Sequence, residues 1–218
     1  MASRSKQQAE PRPAPRLYLV TPPVADADTF AADLAAALDG ADVAAVLVRL
    51  ADGDERALTN RIKILAPVVQ NEGAALLIDG HARLAARAGA DGAHLTGITA
   101  FTEALETLKP DRIAGVAGLA TRHDAMLATE AGADYVMFGE PTEQGRPPFP
   151  AVLDRIAWWA EVFESPCVGY AGDAEEAAAL AATGADFVAV DFIWSDPRGP
   201  RAATAAAAAA LTLPEPVP

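Results

Sequence analysis

Gly89-Ala90-Asp91-Gly92-Ala93-His94-Leu95 is the stretch that decides the fold. An alanine-rich segment of helical period runs into Gly89, and a short apolar run leaves Asp91. Glycine suits the residue just past a helix, and the apolar run suits a buried parallel strand. The same Gly-Ala-Asp string recurs at Gly40-Ala41-Asp42, Gly132-Ala133-Asp134 and Gly184-Ala185-Asp186, followed by Val43-Arg49, Tyr135-Gly139 and Phe187-Val190. The spacings are 49, 43 and 52 residues, twice the length of one strand and helix, so each period should hide a second strand. Candidates stand at Arg16-Val20, Ala74-Asp79, Arg112-Ala117 and Pro166-Tyr170.

Helices are expected between these strands at Asp28-Leu38, Asp54-Asn71, His81-Ala88, Phe101-Leu108, Arg122-Ala131, Val152-Phe163, Asp173-Thr183 and Arg201-Leu211. Thr121, Asp173 and the Asp52-Gly53-Asp54 turn carry helix-capping chemistry. Eight strands alternating with eight helices predict an α/β fold, a single (β/α)8 TIM barrel. The alternative is an open doubly wound sheet, but no Gly-x-Gly-x-x-Gly follows the first strand. The barrel is expected over residues 16–213, with a disordered arm at 1–15 and a tail at 214–218.

The 218 residues are 51% hydrophobic, enough for one large core. Charges interrupt every apolar stretch before it could span a membrane. A net charge of −13 argues against nucleic acid bound through its phosphates. The lone Cys167 excludes an internal disulfide framework. Met1-Pro15 is polar and proline-rich with no apolar core, unlike a signal peptide. The expected location is cytoplasmic.

Several strings resemble the thiamine phosphate synthase family and its relative, the thiazole tautomerase. Arg16-Leu-Tyr-Leu-Val-Thr-Pro22 is similar to the family's first strand. Asp79-Gly80-His81 through Gly89-Leu95 is similar to its third and fourth units, and Gly132-Tyr135 with Gly184-Val190 completes the pattern. The resemblance covers residues 16–196. It implies an enzyme that joins a pyrimidine methyl diphosphate to a thiazole phosphate and expels pyrophosphate. Negative charge then builds on the leaving group, which calls for Mg²⁺ and for cationic or N–H donors.

The family's side chains are only partly present. Its second strand ends Gln-x-Arg-x-Lys; here Leu47 and Ala51 flank a retained Arg49. Its Asn-Asp-Arg metal motif reads Asp79-Gly80-His81, and its second metal aspartate falls at Thr99. Its Ser-x-His after the fifth strand is replaced by Ala117-Gly118-Leu119-Ala120. The Thr-x-Thr-Lys loop is replaced by Glu140-Pro-Thr-Glu-Gln-Gly-Arg-Pro-Pro-Phe-Pro150, where Arg146 could stand for the lysine while Glu140 and Glu143 oppose an anion. The Gly-Gly loop is Ala171-Gly172, still able to bring backbone N–H groups to a phosphate at a helix N-terminus. Asp173, as N-cap, would compete for those groups, and Asp191 adds negative charge beside them.

Arg49 is expected at the barrel mouth, either binding an anion or paired with Asp79. Asp79 is a base, an Mg²⁺ ligand or a structural carboxylate. His81 is near the mouth or caps a helix, and His94 is a satisfied core histidine. Trp158-Trp159 packs or meets a partner. The expected site is thus Arg49, Asp79 and His81 for chemistry, Gly172 and Arg146 for a small phosphorylated molecule, and Asp79 for any metal. Three functions stay open: a synthase with eroded catalytic motifs, a non-catalytic barrel that binds such a ligand or serves assembly, and a tautomerase-like isomerase. A homo-oligomer is compatible with each.

Overall fold

A computed structural model describes residues 13–142 and 145–212. Most of the expected N-terminal arm, all of the expected tail and Glu143 lie outside the described residues. Pro15, assigned to the arm, is buried just ahead of the first strand.

Strands form where apolar runs follow the Gly-Ala-Asp repeats, and again halfway between. In chain order they are β1 (Arg16–Val20), β2 (Val43–Val48), β3 (Ala75–Asp79), β4 (Gly92–Thr96), β5 (Ile113–Ala117), β6 (Tyr135–Phe138), β7 (Cys167–Ala171) and β8 (Phe187–Val190). The helices that follow them are α1 (Ala27–Leu38), α2 (Glu55–Gln70), α3 (Ala82–Ala88), α4 (Ile98–Leu108), α5 (Arg122–Glu130), α6 (Phe149–Val162), α7 (Ala174–Ala181) and α8 (Pro200–Ala210). All neighbouring strands pair in parallel, and β8 pairs back onto β1, with Phe187 opposite Arg16 and Ala189 opposite Tyr18. The sheet is a closed (β/α)8 barrel. Closure leaves no edge of unpaired backbone groups.

Side chains alternate across each strand, so they separate into two cores. One lies between strands and helices and includes Leu19, Val46, Ile78, Phe101, Trp159 and Leu180. The other fills the barrel and includes Tyr18, Leu47, Leu77, Tyr135, Met137 and Tyr170. The next inward positions above this filling are at the C-terminal ends of the strands, and those form the mouth.

The repeated aspartate has a structural role that glycine-centred reading overlooks. Asp91 accepts from the Leu76 N–H at 2.7 Å, Asp134 from Ala114 at 2.7 Å and Asp186 from Cys167 at 2.8 Å. Asp42 instead grips the Arg16 side chain, at 2.7 and 3.0 Å. In every repeat the carboxylate reaches the start of the preceding strand and ties two strands together at the N-terminal end. Asp91→Ala is expected to cost about 2 kcal/mol, because the buried Leu76 N–H loses a charged acceptor; urea unfolding would measure it.

The repeated glycine is not uniform. Gly89 has φ 87°, the left-handed cap expected after a helix. Gly40 does not, and is required instead because a Cβ there would lie 2.5 Å from the Arg201 carbonyl oxygen. Helix α6 starts three residues earlier than expected, since Pro150 serves the first turn of the helix rather than breaking it. Trp159 is buried, donates from Nε1 to the Ser165 carbonyl at 2.8 Å and stacks on Phe163, while Trp158 lies under Arg122. The pair packs, as one of its two expected roles required. Cys167 is buried in β7 and His123 is exposed on α5.

Candidate active site at the barrel mouth

Arg49 follows β2 directly, and its backbone N–H is fixed by the Thr21 hydroxyl at 3.0 Å. Its guanidinium faces two carboxylates. Nη2 donates to Glu140 Oε1 at 3.0 Å, and Nε lies 3.7 Å from Asp79 Oδ2. The expected Arg49–Asp79 pair therefore exists, but Glu140 is the nearer partner. Glu140 is only 8% exposed, against 32% for Asp79.

Glu140 in turn connects the mouth to the barrel interior. Its Oε2 is 3.4 Å from His94 Nε2, His94 Nδ1 is 2.7 Å from the Tyr135 hydroxyl, and that hydroxyl is 2.8 Å from the Tyr18 hydroxyl. The tautomer with a proton on Nε2 satisfies every member: His94 donates to Glu140, accepts from Tyr135, and Tyr135 accepts from Tyr18. His94 is fully buried and bonded at both nitrogens, as a core histidine must be. It is also the link through which the interior supports Glu140. Tyr135 fits because Gly115 lies opposite; a Cβ on Gly115 would come within 2.0 Å of the Tyr135 ring.

Burial raises the Asp79 carboxyl above its ordinary range, and the nearby Glu140 charge adds to the effect. Burial also pushes Glu140 upward, but its contacts with His94 and Arg49 outweigh this and hold it below the ordinary range. Burial raises the Tyr170 phenol, and the Asp191 carboxylate that accepts its proton at 2.5 Å raises it further.

Two cavities meet here. One, of about 650 Å³, is lined by Arg49, Asp79, Thr96, Gly118, Glu140 and Thr142. The other, of about 420 Å³, shares Gly118, Glu140 and Thr142 and adds Gly139, Arg146 and Arg155. Arg155 donates to the Leu119 carbonyl at 3.2 Å and has no carboxylate partner among the described residues.

The Gly172 loop is already filled from within the chain. The Gly172 N–H donates to Glu176 Oε2 at 2.7 Å, the same oxygen lies 2.5 Å from Arg146 Nη2, and Arg146 also donates to the Tyr170 carbonyl at 2.8 Å. Asp173 takes the Glu176 N–H at 2.9 Å, as an N-cap competing for the helix donors must. Gly172 and Arg146 are thus brought together, around a carboxylate.

His81 stands apart. It is exposed, precedes α3 without a side-chain capping bond, and lines a separate groove with Arg83 and Glu103. Glu176, Arg155 and Tyr135 escaped the sequence reading. The inward alternation of β4 and β6 carried a signal for Tyr135; the helix positions of Glu176 and Arg155 carried none.

Residues 17–191 match the family model described as thiamine monophosphate synthase. The thiamine-phosphate synthase of Rhodospirillum centenum is 44% identical over 195 residues, which is 87% of this chain and 94% of that protein. That of Hyphomonas neptunium is 38% identical over 208 residues, covering 91% and 94%. Among solved structures, thiamine phosphate pyrophosphorylase from Pyrococcus furiosus has the same fold, with a TM-score of 0.74 over 90% of this chain and 95% of that one at 23% identity. The match begins inside β1 and ends just past β8, so it takes in the eight-stranded sheet, the first seven helices and the loops that build the mouth, and on that footing the chain belongs to the thiamine monophosphate synthase family.

Proposed function

We propose that this member of the family binds a phosphorylated thiamine precursor at the mouth but does not expel pyrophosphate by the Mg²⁺-dependent route. The observation that carries this is the pairing of Arg49, the cation of the larger cavity, with both Glu140 and Asp79. A leaving diphosphate needs unspent positive charge, and here the charge is spent on carboxylates.

Mg²⁺ does not fit the donor set. Asp79 and Glu140 both line the larger cavity, but both carboxylates already face the Arg49 guanidinium. Gly80 and Thr99 offer no carboxylate, and no group of three His, Cys, Asp or Glu side chains gathers as a metal site among the described residues. A cation at Asp79 would sit against Arg49. The isomerase reading lacks support as well, because Ala117-Ala120 supplies no histidine and His81 lines another groove.

The smaller cavity is the better seat for a phosphate. Among the described residues Arg155 has no carboxylate partner there, and Arg146 and the Gly172 N–H would join it once Glu176 moves aside. The organic part of the ligand would then occupy the larger cavity. Calorimetric titration with thiazole phosphate and with pyrophosphate, with and without Mg²⁺, tests this reading. Binding is expected in both conditions with the same affinity. Arg155→Gln should weaken it, and Glu176→Ala should tighten it about tenfold, since a competing charge leaves the seat. Binding that requires Mg²⁺, or is indifferent to both substitutions, would refute the assignment.

A further inference from the structure

The opposite end of the barrel holds a further cavity, of about 280 Å³, open at the N-terminal ends of the strands. Barrel interiors are normally packed there by bulky side chains. In this chain Ala45 and Ala75 occupy facing inward positions on β2 and β3, and they leave the space unfilled. Ile113 and Phe187, also inward, are left half-buried beside it. The floor is the edge-on pair Tyr18 and Tyr135, with ring centroids 5.8 Å apart.

The polar groups around the cavity are already engaged. The two phenols bond each other, and Tyr135 also bonds His94. Arg16 at the rim is held by Asp42, and Asp134 at the rim is held by Lys109 and the Ala114 N–H. A ligand entering here would find carbon walls, ring edges and, among the described residues, no unspent charge. Such a cavity selects neutral, apolar molecules, as dry apolar cavities of similar scale do.

We propose that the N-terminal end of the barrel is a binding site for a small neutral aromatic molecule of one or two fused rings, separate from the phosphate-binding mouth. It does not depend on the function proposed for the mouth.

Titration of the full chain with benzene, toluene and indole, followed by the NMR signals of the alanine, isoleucine and valine methyl groups, tests the site. The expected result is saturable shifts at Ala45, Ala75, Ile113 and Val168, with half-saturation at roughly 1 mM. The methyl group of Ala117, at the C-terminal end of β5 beside the mouth, should stay put. Benzoate, of similar size but charged, should bind at least about tenfold more weakly, since it would bury an unpaired charge. Ala75→Leu extends into the cavity and should abolish the shifts while raising the unfolding temperature; Ala45→Leu is the second filling variant. Absence of saturable shifts with all three probes would overturn the proposal. So would benzoate binding as well as benzene, or a response unchanged in a folded filling variant.

Discussion

Arg49→Ala is expected to destabilise the protein by about 3 kcal/mol at neutral pH, a large cost for one side chain that is itself a quarter exposed. The cost arises from what is left behind. Glu140 is 8% exposed and would keep only the longer contact to His94 at 3.4 Å, while Asp79 would lose the cation beside it. A surface pair would give less than about 1 kcal/mol. The sign of the pH dependence follows from the same contacts. In the native protein Glu140 is held below its ordinary range, so its contribution is present at neutral pH and is lost as pH falls through that depressed value. Without Arg49 the buried carboxylate would be destabilised when ionised, and its protonation on acidification would favour the folded state. The gap between the two proteins should therefore narrow from about pH 7 to about pH 4. Glu140→Gln in the Arg49→Ala background should recover part of the loss. Urea unfolding at the two pH values measures all of this; a constant loss of about 1 kcal/mol or less, the level of a surface pair, would show the cluster to be ordinary surface.

Gly115→Ala is expected to be equally damaging, at about 3 kcal/mol, although it adds one methyl group. The new Cβ would lie 2.0 Å from Tyr135 Cζ and 2.2 Å from its hydroxyl, inside a barrel where Tyr135 is almost fully buried. The ring must leave its place, and with it go the bonds to His94 and Tyr18. Tyr135→Phe separates the two contributions, since it removes the bonds without the collision and should cost about 1 kcal/mol. Equal unfolding midpoints for Gly115→Ala and the parent chain would contradict the description of the barrel interior.

The fold was legible because its signals are local. Four Gly-Ala-Asp strings mark helix ends and strand starts, and their period reveals the strands in between. Which residue meets Arg49 was only half legible. Asp79 ends the neighbouring strand, so barrel order alone brings the two together. Glu140 is 91 residues away in the chain and lies in a loop whose path no periodicity describes. Reading it as a charge that opposes an anion captured its sign and missed its partner. The same holds at Gly172. Asp173 declares itself as an N-cap by position, whereas Glu176 reaches back over the first turn to the loop, a contact set by side-chain conformation. His94 looked like a core residue, and it is one; that it also supports Glu140 depends on the register that places it between Asp79 and Gly115.

The most direct measurement is the synthesis of thiamine phosphate by the purified chain from pyrimidine methyl diphosphate and thiazole phosphate, with and without Mg²⁺. No appreciable Mg²⁺-dependent product is expected from the unmodified protein. Gly80→Asp with Thr99→Asp should raise Mg²⁺ affinity before it raises turnover. Gly80 has φ 68° and open space around its Cβ position, a conformation that aspartate tolerates better than most residues. Robust Mg²⁺-dependent synthesis by the unmodified protein would contradict the account, because Arg49 would then have to release Glu140 and Asp79 to serve the leaving group.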